Sequence, residues 1–415
     1  MNICKIKFSA KSAIALALPL AICLSLGGCS LFGEPQLEVS SKTESLLSSI
    51  PQPKQTSYSY SAITNENVKN LYAQIESECQ KPVPEEIQCT GKLSQKDIYE
   101  AIVAFKNDHP DIFWLKNTFT YYDYDGSTHI ELAYITSGDA LEEQKENFNT
   151  ALSSFVDNAT MYYSEYEREK YVNDFIVDNC EYDTEAAKSD YTTGNVSTAY
   201  GVLIEGKAIC EGYTRAFQLL CNKLGIECVS VTGMTDNVGH AWNCARIDGD
   251  WCQVDVTWND SGNEVDRYYY FNLTDEQMYA THRPDDYFAD IEPENYNNDE
   301  NLIGNLYIPE CTTTSHNYYM NTASMLYDFD DETYDNIVTN LALAALNGDK
   351  YFSLYVSDSL DFGETYSKLI NDAYIINYID SANDKLAGSA ELNTSSYAYK
   401  NETLRVITIE LSYVN

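Results

Sequence analysis

Basic side chains are scarce: 26 lysines and arginines stand against 64 aspartates and glutamates, and the formal net charge is −38 over 415 residues. Binding to nucleic acid or another polyanion draws on counterion release and needs clustered Lys and Arg. So acidic a chain is therefore expected to take no nucleic-acid partner. Histidine is also sparse, at five, and no Cys-x-x-Cys pair occurs among the 12 cysteines. Zinc-type ligand spacing is absent, and neither a metal nor any other cofactor is assigned. Acidic residues near Asp285–Asp299 lack the EF-hand pattern and read as a solvated loop rather than a calcium site. No apolar run reaches the ~18 residues of a membrane-spanning helix.

The most apolar stretch, Ala13 to Leu26, follows Lys5, Lys7 and Lys11 and has the length of a secretory h-region. It ends in Leu26-Gly27-Gly28-Cys29, which resembles the lipobox of bacterial lipoproteins. That likeness implies a signal peptide over residues 1–28, lipidation at Cys29, and a protein held by lipid on the extracytoplasmic face of the cell membrane. Loss of residues 1–28 removes three lysines and no acid, leaving a charge of about −41 that favours solubility. Residues 29–61, rich in Ser, Pro, Gln and Lys, read as a flexible tether.

An N-terminal α+β region is expected over 62–160. Val68, Leu71, Tyr72 and Ile75 repeat at helical spacing, as do Ile98, Ala101, Ile102 and Phe105 after a Ser94 cap. Ile112–Leu115 and Phe119–Ile135 read as strands, the second broken at Asp125-Gly126. Further helices are marked by Leu141, Phe148, Leu152 and Phe155, then by Tyr171, Val172, Phe175 and Ile176. A central domain over 161–296 carries the chemistry. Residues 317–415 form a small C-terminal α+β domain without a chemical motif. Its expected elements are a helix near Glu332–Leu346 ending at Gly348, a strand through Phe352, Leu354 and Val356, a helix near Tyr366–Tyr378, and a closing strand through Ile407, Ile409, Leu411 and Tyr413.

Three sequence pieces stand out in the central domain. After Cys210, Tyr213, Phe217, Leu220 and Leu224 fall on one helical face, with Gly225 at the stop. Cys210 therefore sits in a first turn, where free N–H groups and the helix dipole favour a thiolate and can hold an oxyanion. His240 to Ile247 and Asp250 to Trp258 flank Asp248-Gly249, a two-residue hairpin signal. Counting outward from Ile247 opposite Asp250 sets Trp242 opposite Asp255, so His240 and Asp255 share a face as diagonal neighbours. An aspartate there can orient the imidazole and leave its other nitrogen for the thiol. In this register Cys244 and Cys252 face opposite ways and form no disulfide with each other. Setting aside Cys4 and Cys23 in the signal, Cys29 and Cys210, eight cysteines remain, an even number that permits disulfides. Cys79 and Cys89, which flank a proline-containing loop, are the expected local pair.

Gly206-Lys-Ala-Ile-Cys-Glu-Gly-Tyr213, Gly239-His-Ala-Trp-Asn243 and Val254-Asp-Val-Thr-Trp258, in that order, resemble the transglutaminase-like superfamily, in its bacterial branch of surface cysteine enzymes. The likeness runs from about Tyr200 to Trp258, with weaker echoes at Asp108–Trp114 and Phe271-Asn272. It implies an α+β, papain-like core with the cysteine at a helix N-terminus packed on an antiparallel sheet carrying His and Asp, beside an N-terminal α/β region. It implies Cys210 as nucleophile, His240 as base and Asp255 as orienting acid, with Tyr200 as candidate for the oxyanion site. Trp242 and Trp258 are expected to shield the pair or simply to pack there. The implied reaction is acyl transfer from an amide through a thioester, resolved by water (a protease or amidase) or by an amine (a crosslinking transamidase). A protein or peptide of the cell envelope is the expected substrate. The rival reading is a non-catalytic surface scaffold on the same fold.

Overall fold

Helix α1 (Glu66–Glu78) forms where the sequence sets Val68, Leu71, Tyr72 and Ile75 on one stripe, and all four are buried. Helix α2 (Gln95–Asp108) starts in a capping box, in which Ser94 accepts from the Asp97 N–H and Asp97 accepts from the Ser94 N–H. Both helices cover an antiparallel sheet of order β1-β3-β2, built from β1 (Glu86–Gln88), β2 (Leu115–Tyr124) and β3 (Ser127–Tyr134). The expected strand over Ile112–Leu115 is a strand only at Leu115. Upstream, the Ile112 N–H closes a turn on the His109 carbonyl at 3.0 Å across Pro110, and Phe113 and Trp114 drop into the core.

The computed structural model describes residues 53–54, 57–188, 194–291 and 304–414. The signal segment, Cys29 and most of the expected tether lie outside the described residues, as do 292–303 of the acidic stretch. The tether's last residues are docked rather than free. A short helix, Tyr58–Ala62, has Ser59 and Tyr60 N–H donating to the Asp108 carboxylate at 3.0 and 2.9 Å, and Tyr58 Oη donating to Glu227 at 2.7 Å. Among the described residues, no helix is long and apolar enough to cross a membrane.

The central core is helices on a sheet. Leu141, Phe148, Leu152 and Phe155 of α3 (Asp139–Ala159) pack with Val172 and Ile176 of α4 (Glu165–Asn179) and with Phe217 and Leu220 of α5 (Cys210–Lys223). A parallel pair, β4 (Glu181–Tyr182) and β5 (Lys207–Ala208), leads into α5. Helix α5 lies on an antiparallel sheet of order β8-β7-β6-β9, made of β6 (Glu227–Thr235), β7 (Val238–Ile247), β8 (Asp250–Val254) and β9 (His282–Pro284). The chain is thus of the α+β class, with a transglutaminase-like order of cysteine helix followed by antiparallel strands.

The C-terminal part has its own sheet, β10-β11-β13-β12, from β10 (Ser324–Leu326), β11 (Tyr351–Val356), β12 (Ala398–Asn401) and β13 (Val406–Glu410). Helix α6 (Asp331–Asn347) stops at Gly348, whose φ of 73° is the left-handed cap a glycine supplies without strain. The single helix expected near Tyr366–Tyr378 is interrupted. A π turn ends at Asn371, Ala373 has φ 57°, and α7 (Ile375–Leu386) begins only afterwards, so the chain changes direction and Tyr378, Ile379 and Leu386 reach the core.

Two substitutions in α2 rank the forces that hold it. Ile98→Ala removes a fully buried side chain and is expected to cost about 2–5 kcal/mol. Ser94→Ala removes only the cap and is expected to cost about 1 kcal/mol. Urea unfolding of both variants checks this order.

Candidate active site

Cys210 is the first residue of α5. The N-cap, Ile209, is extended and offers no side-chain acceptor, so the first-turn N–H groups are left for other partners. Gly212 explains the glycine in Cys-Glu-Gly. A Cβ there would lie 2.5 Å from the Val196 carbonyl oxygen and 2.8 Å from the Ala208 Cβ, so only glycine lets the helix start against these backbones.

The hairpin has the register expected from Asp248-Gly249: Ile247 pairs with Asp250, and Asn243 with Val254. Both turn residues have positive φ, 51° and 99°. Cys244 pairs with Gln253 and Ala245 with Cys252, so the two cysteines face opposite ways. His240 Nε2–H donates to Asp255 Oδ2 at 2.7 Å, and Cys210 is in hydrogen-bond contact with the same imidazole, whose remaining nitrogen is Nδ1. Asp255 is itself the N-cap of a short helix, Val256–Asn259, with Oδ1 accepting from the Thr257 and Trp258 N–H groups at 3.0 and 3.2 Å. The structure thus brings Cys210, His240 and Asp255 into one chain of contacts.

Tyr200 is not part of that chain. Its ring packs between Phe113 and Phe148, at centroid distances of 4.7 and 5.9 Å, in the core behind α5. The phenol beside Cys210 belongs to Tyr182, which the β4–β5 pairing sets opposite Ala208 and in hydrogen-bond contact with both the thiol and the N–H of Cys210. Burial, then the neighbouring Cys210, push the Tyr182 phenol up to about 12. It therefore keeps its proton through neutral pH. The sequence reading also missed His282. From β9 its Nε2–H donates to the same Asp255 Oδ2 at 3.0 Å. Trp242 and Trp258 pack on both imidazoles, and Trp242 Nε1–H donates to Gln253 Oε1 at 2.7 Å.

His240, Asp255 and His282 are the group with metal-like proximity among the described residues, their ligand atoms lying within 4.8 Å. Those atoms are hydrogen-bonded to one another, however, and an ion would have to displace both N–H donors from Oδ2. The geometry fits a saturated carboxylate rather than a metal centre.

The cleft over Cys210 and His240 has a volume of about 250 Å³. One wall comes from α2, through Tyr99, Ile102, Val103 and Asn107, and the rest from Ile209, Glu211, Arg215, Thr232, Gly233 and neighbours. Arg215 locks this wall: it donates to Glu211 Oε1 at 3.1 Å and to the Lys106 carbonyl at 2.6 Å, tying α5 to α2. Burial lowers Lys106 to about 8 even with Glu211 nearby, and burial of Glu211 is overridden by Lys106 and Arg215, which keep it ionised.

Burial opposes a charged His240, but the Asp255 carboxylate and then Cys210 outweigh it and raise the imidazole to about 10. Burial likewise opposes Asp255, which His240 and then His282 hold well below the usual carboxylate range. His240's ionic contribution to stability is therefore full below the ordinary imidazole value of ~6.5 and is lost as pH rises through about 10. Asp255's contribution is full above the ordinary carboxyl value of ~3.9 and is lost as pH falls below it. Asp255→Asn is expected to destabilise by about 3–5 kcal/mol at pH ~6, and by less near pH ~10. Urea unfolding at both pH values measures the gap, and a gap independent of pH contradicts the assignment.

The family model of the transglutaminase-like superfamily matches residues 153–256. The kyphoscoliosis peptidase of Mus musculus is 28% identical over 165 residues, 37% of this chain and 24% of that protein. Its Homo sapiens counterpart is 27% identical over 147 residues, 32% of this chain and 22% of that protein. The chain thus spans about a quarter of the length of these relatives. A solved structure described as a TGase is 19% identical, with a TM-score of 0.25, and the match covers 43% of this chain and 52% of that one. The part of the chain that matches the transglutaminase-like superfamily, residues 153–256, includes Cys210, His240 and Asp255.

Proposed function

We propose that the protein is an exported, lipid-anchored thiol enzyme that cleaves or transfers amide bonds through Cys210, His240 and Asp255. The observation that carries this reading is the alignment of thiol, imidazole and buried carboxylate at the floor of an open cleft. A peptidase name on the relatives agrees with it. The Cys210 thiolate attacks the amide carbonyl carbon. The oxyanion is met by the Cys210 N–H and by the Tyr182 O–H, which turns from the Cys210 sulfur to the substrate. His240 gives its Nδ1 proton to the leaving amine nitrogen as the C–N bond breaks, and a thioester remains on Cys210. Water then attacks the thioester, with His240 taking the proton, and releases the acid and the thiolate. An amine in place of water gives a new amide.

Hydrolysis of a peptide or amide of the cell envelope is the favoured outcome. Membrane attachment through a lipid on Cys29 sets the enzyme among such substrates.

The direct test follows alkylation of Cys210 by iodoacetamide across pH, read by peptide mass spectrometry. His240→Ala is expected to label more slowly than the wild type at pH ~6. Identical profiles would leave the scaffold reading. For the anchor, a radiolabelled fatty acid is expected to be incorporated by bacteria expressing the full chain and not by those expressing Cys29→Ser, with the variant released from the membrane fraction. Equal labelling of both rejects Cys29 as the lipidated residue.

A further inference from the structure

Two histidines, not one, hold the Asp255 carboxylate. His282 arrives from β9, an edge strand that pairs with β6 through Gly233↔Pro284 and Thr235↔His282. Gly233 permits this approach, because a Cβ there would collide with the Arg283 carbonyl and lie 2.7 Å from the Trp242 ring. The His282 side chain is wholly buried, with Trp258, Trp242 and Tyr270 rings at centroid distances of 4.7, 5.0 and 5.5 Å. Its Nδ1 is 2.8 Å from Thr281 Oγ1, and the Tyr270 phenol is in hydrogen-bond contact with that same hydroxyl. Nδ1 is thus engaged by threonine, and Nε2–H faces Asp255 Oδ2 at 3.0 Å in either charge state of the ring. A histidine serving only as core packing would not spend its one free N–H on the carboxylate that already holds His240.

We propose that His282 is a positioning residue for the thiol reaction: it fixes the Asp255 carboxylate so that Asp255 stays ionised and aimed at His240. This rests on the reading of Cys210, His240 and Asp255 as the reacting set. The physical reason is competition for lone pairs. With both backbone N–H groups on Oδ1 and two imidazoles on Oδ2, Asp255 has no acceptor site open for a proton and no freedom to rotate. Without His282, Oδ2 can take a proton at higher pH, and the imidazolium that steadies the thiolate loses its counter-charge. The titratable groups facing Asp255 are His240 from β7, His282 from β9, Tyr182 from β4, Tyr270 from the loop before β9 and Cys210 from α5. Among these, His240 and His282 are the two whose side chains hydrogen-bond the Asp255 carboxylate, and of the two it is His240 that is in contact with the thiol.

The test compares the iodoacetamide rate at Cys210 against pH in wild type, His240→Ala, His282→Phe, His282→Gln and Thr281→Val, each checked for folding by circular dichroism. Phenylalanine keeps the ring and removes the donor, whereas glutamine keeps an N–H at similar reach. His282→Phe is expected to lower the rate at pH ~5.5 on the order of 10-fold and to move the acid limb up by about one pH unit. His282→Gln is expected to restore both. Thr281→Val, which frees Nδ1, is expected to move the limb in the same direction by less. Superimposable wild-type and His282→Phe profiles overturn the proposal, and so does an equal loss in the Phe and Gln variants, the mark of packing alone. Should the Phe variant not fold, an unchanged limb in Thr281→Val overturns it instead. A His240→Ala profile identical to wild type has a different meaning: the reacting set itself then fails, whatever His282 does.

Discussion

One buried carboxylate sets the terms for the central domain. Taking Asp255 out of water costs several kcal/mol unless its lone pairs are filled, and the four donors that fill them come from three stretches of chain. The Thr257 and Trp258 N–H groups come from the helix Asp255 itself caps, one imidazole from β7 and another from β9. The Asp248-Gly249 hairpin, the glycine at 233 that admits β9, and the tryptophans that exclude water around both imidazoles all serve this one group. The reward is chemical. In the proposed reaction, a carboxylate held ionised favours the charged form of the neighbouring imidazole, and a charged imidazole steadies a thiolate beside it.

The site does not belong to the cysteine helix and hairpin alone. Helix α2, well upstream of the family match at 153–256, forms a wall of the cleft. It is held there by Arg215, which joins Glu211, the residue after Cys210, to the α2 backbone. Buried Lys106 lies 3.8 Å from the same Glu211 carboxylate, so one acid holds two cations at this wall. The shape of the cleft is thereby partly decided by the N-terminal region. The C-terminal sheet keeps a hydrophobic core of its own.

What could be read in advance follows the range of the interactions involved. The α5 stripe and the β7–β8 register depend on local spacing and a two-residue turn, and both are present as read. Tyr182 and His282 reach the site through pairings with distant partners, β4 with β5 and β9 with β6, which leave no periodic trace. Tyr200 is the oxyanion candidate that the family resemblance implies, but the turn it opens points its ring at Phe113 and Phe148 instead. Phe113 and Trp114 looked like strand residues because they are apolar, while the turn after His109 buries them without a ladder. The break at Asp372–Tyr374 left no mark either, since it carries neither glycine nor proline and depends on a left-handed Ala373 held by tertiary packing.

The charge on His240 tests the central claim most directly. Nitrogen NMR of protein labelled with 15N at its five histidines, assigned with single-histidine variants, reports protonation at each ring nitrogen. The account predicts His240 with both nitrogens protonated from pH ~6 to ~9, changing only when Cys210 is alkylated or replaced by serine. A His240 ring that is neutral at pH ~7, titrating near the ordinary ~6.5 with Cys210 intact, would contradict it.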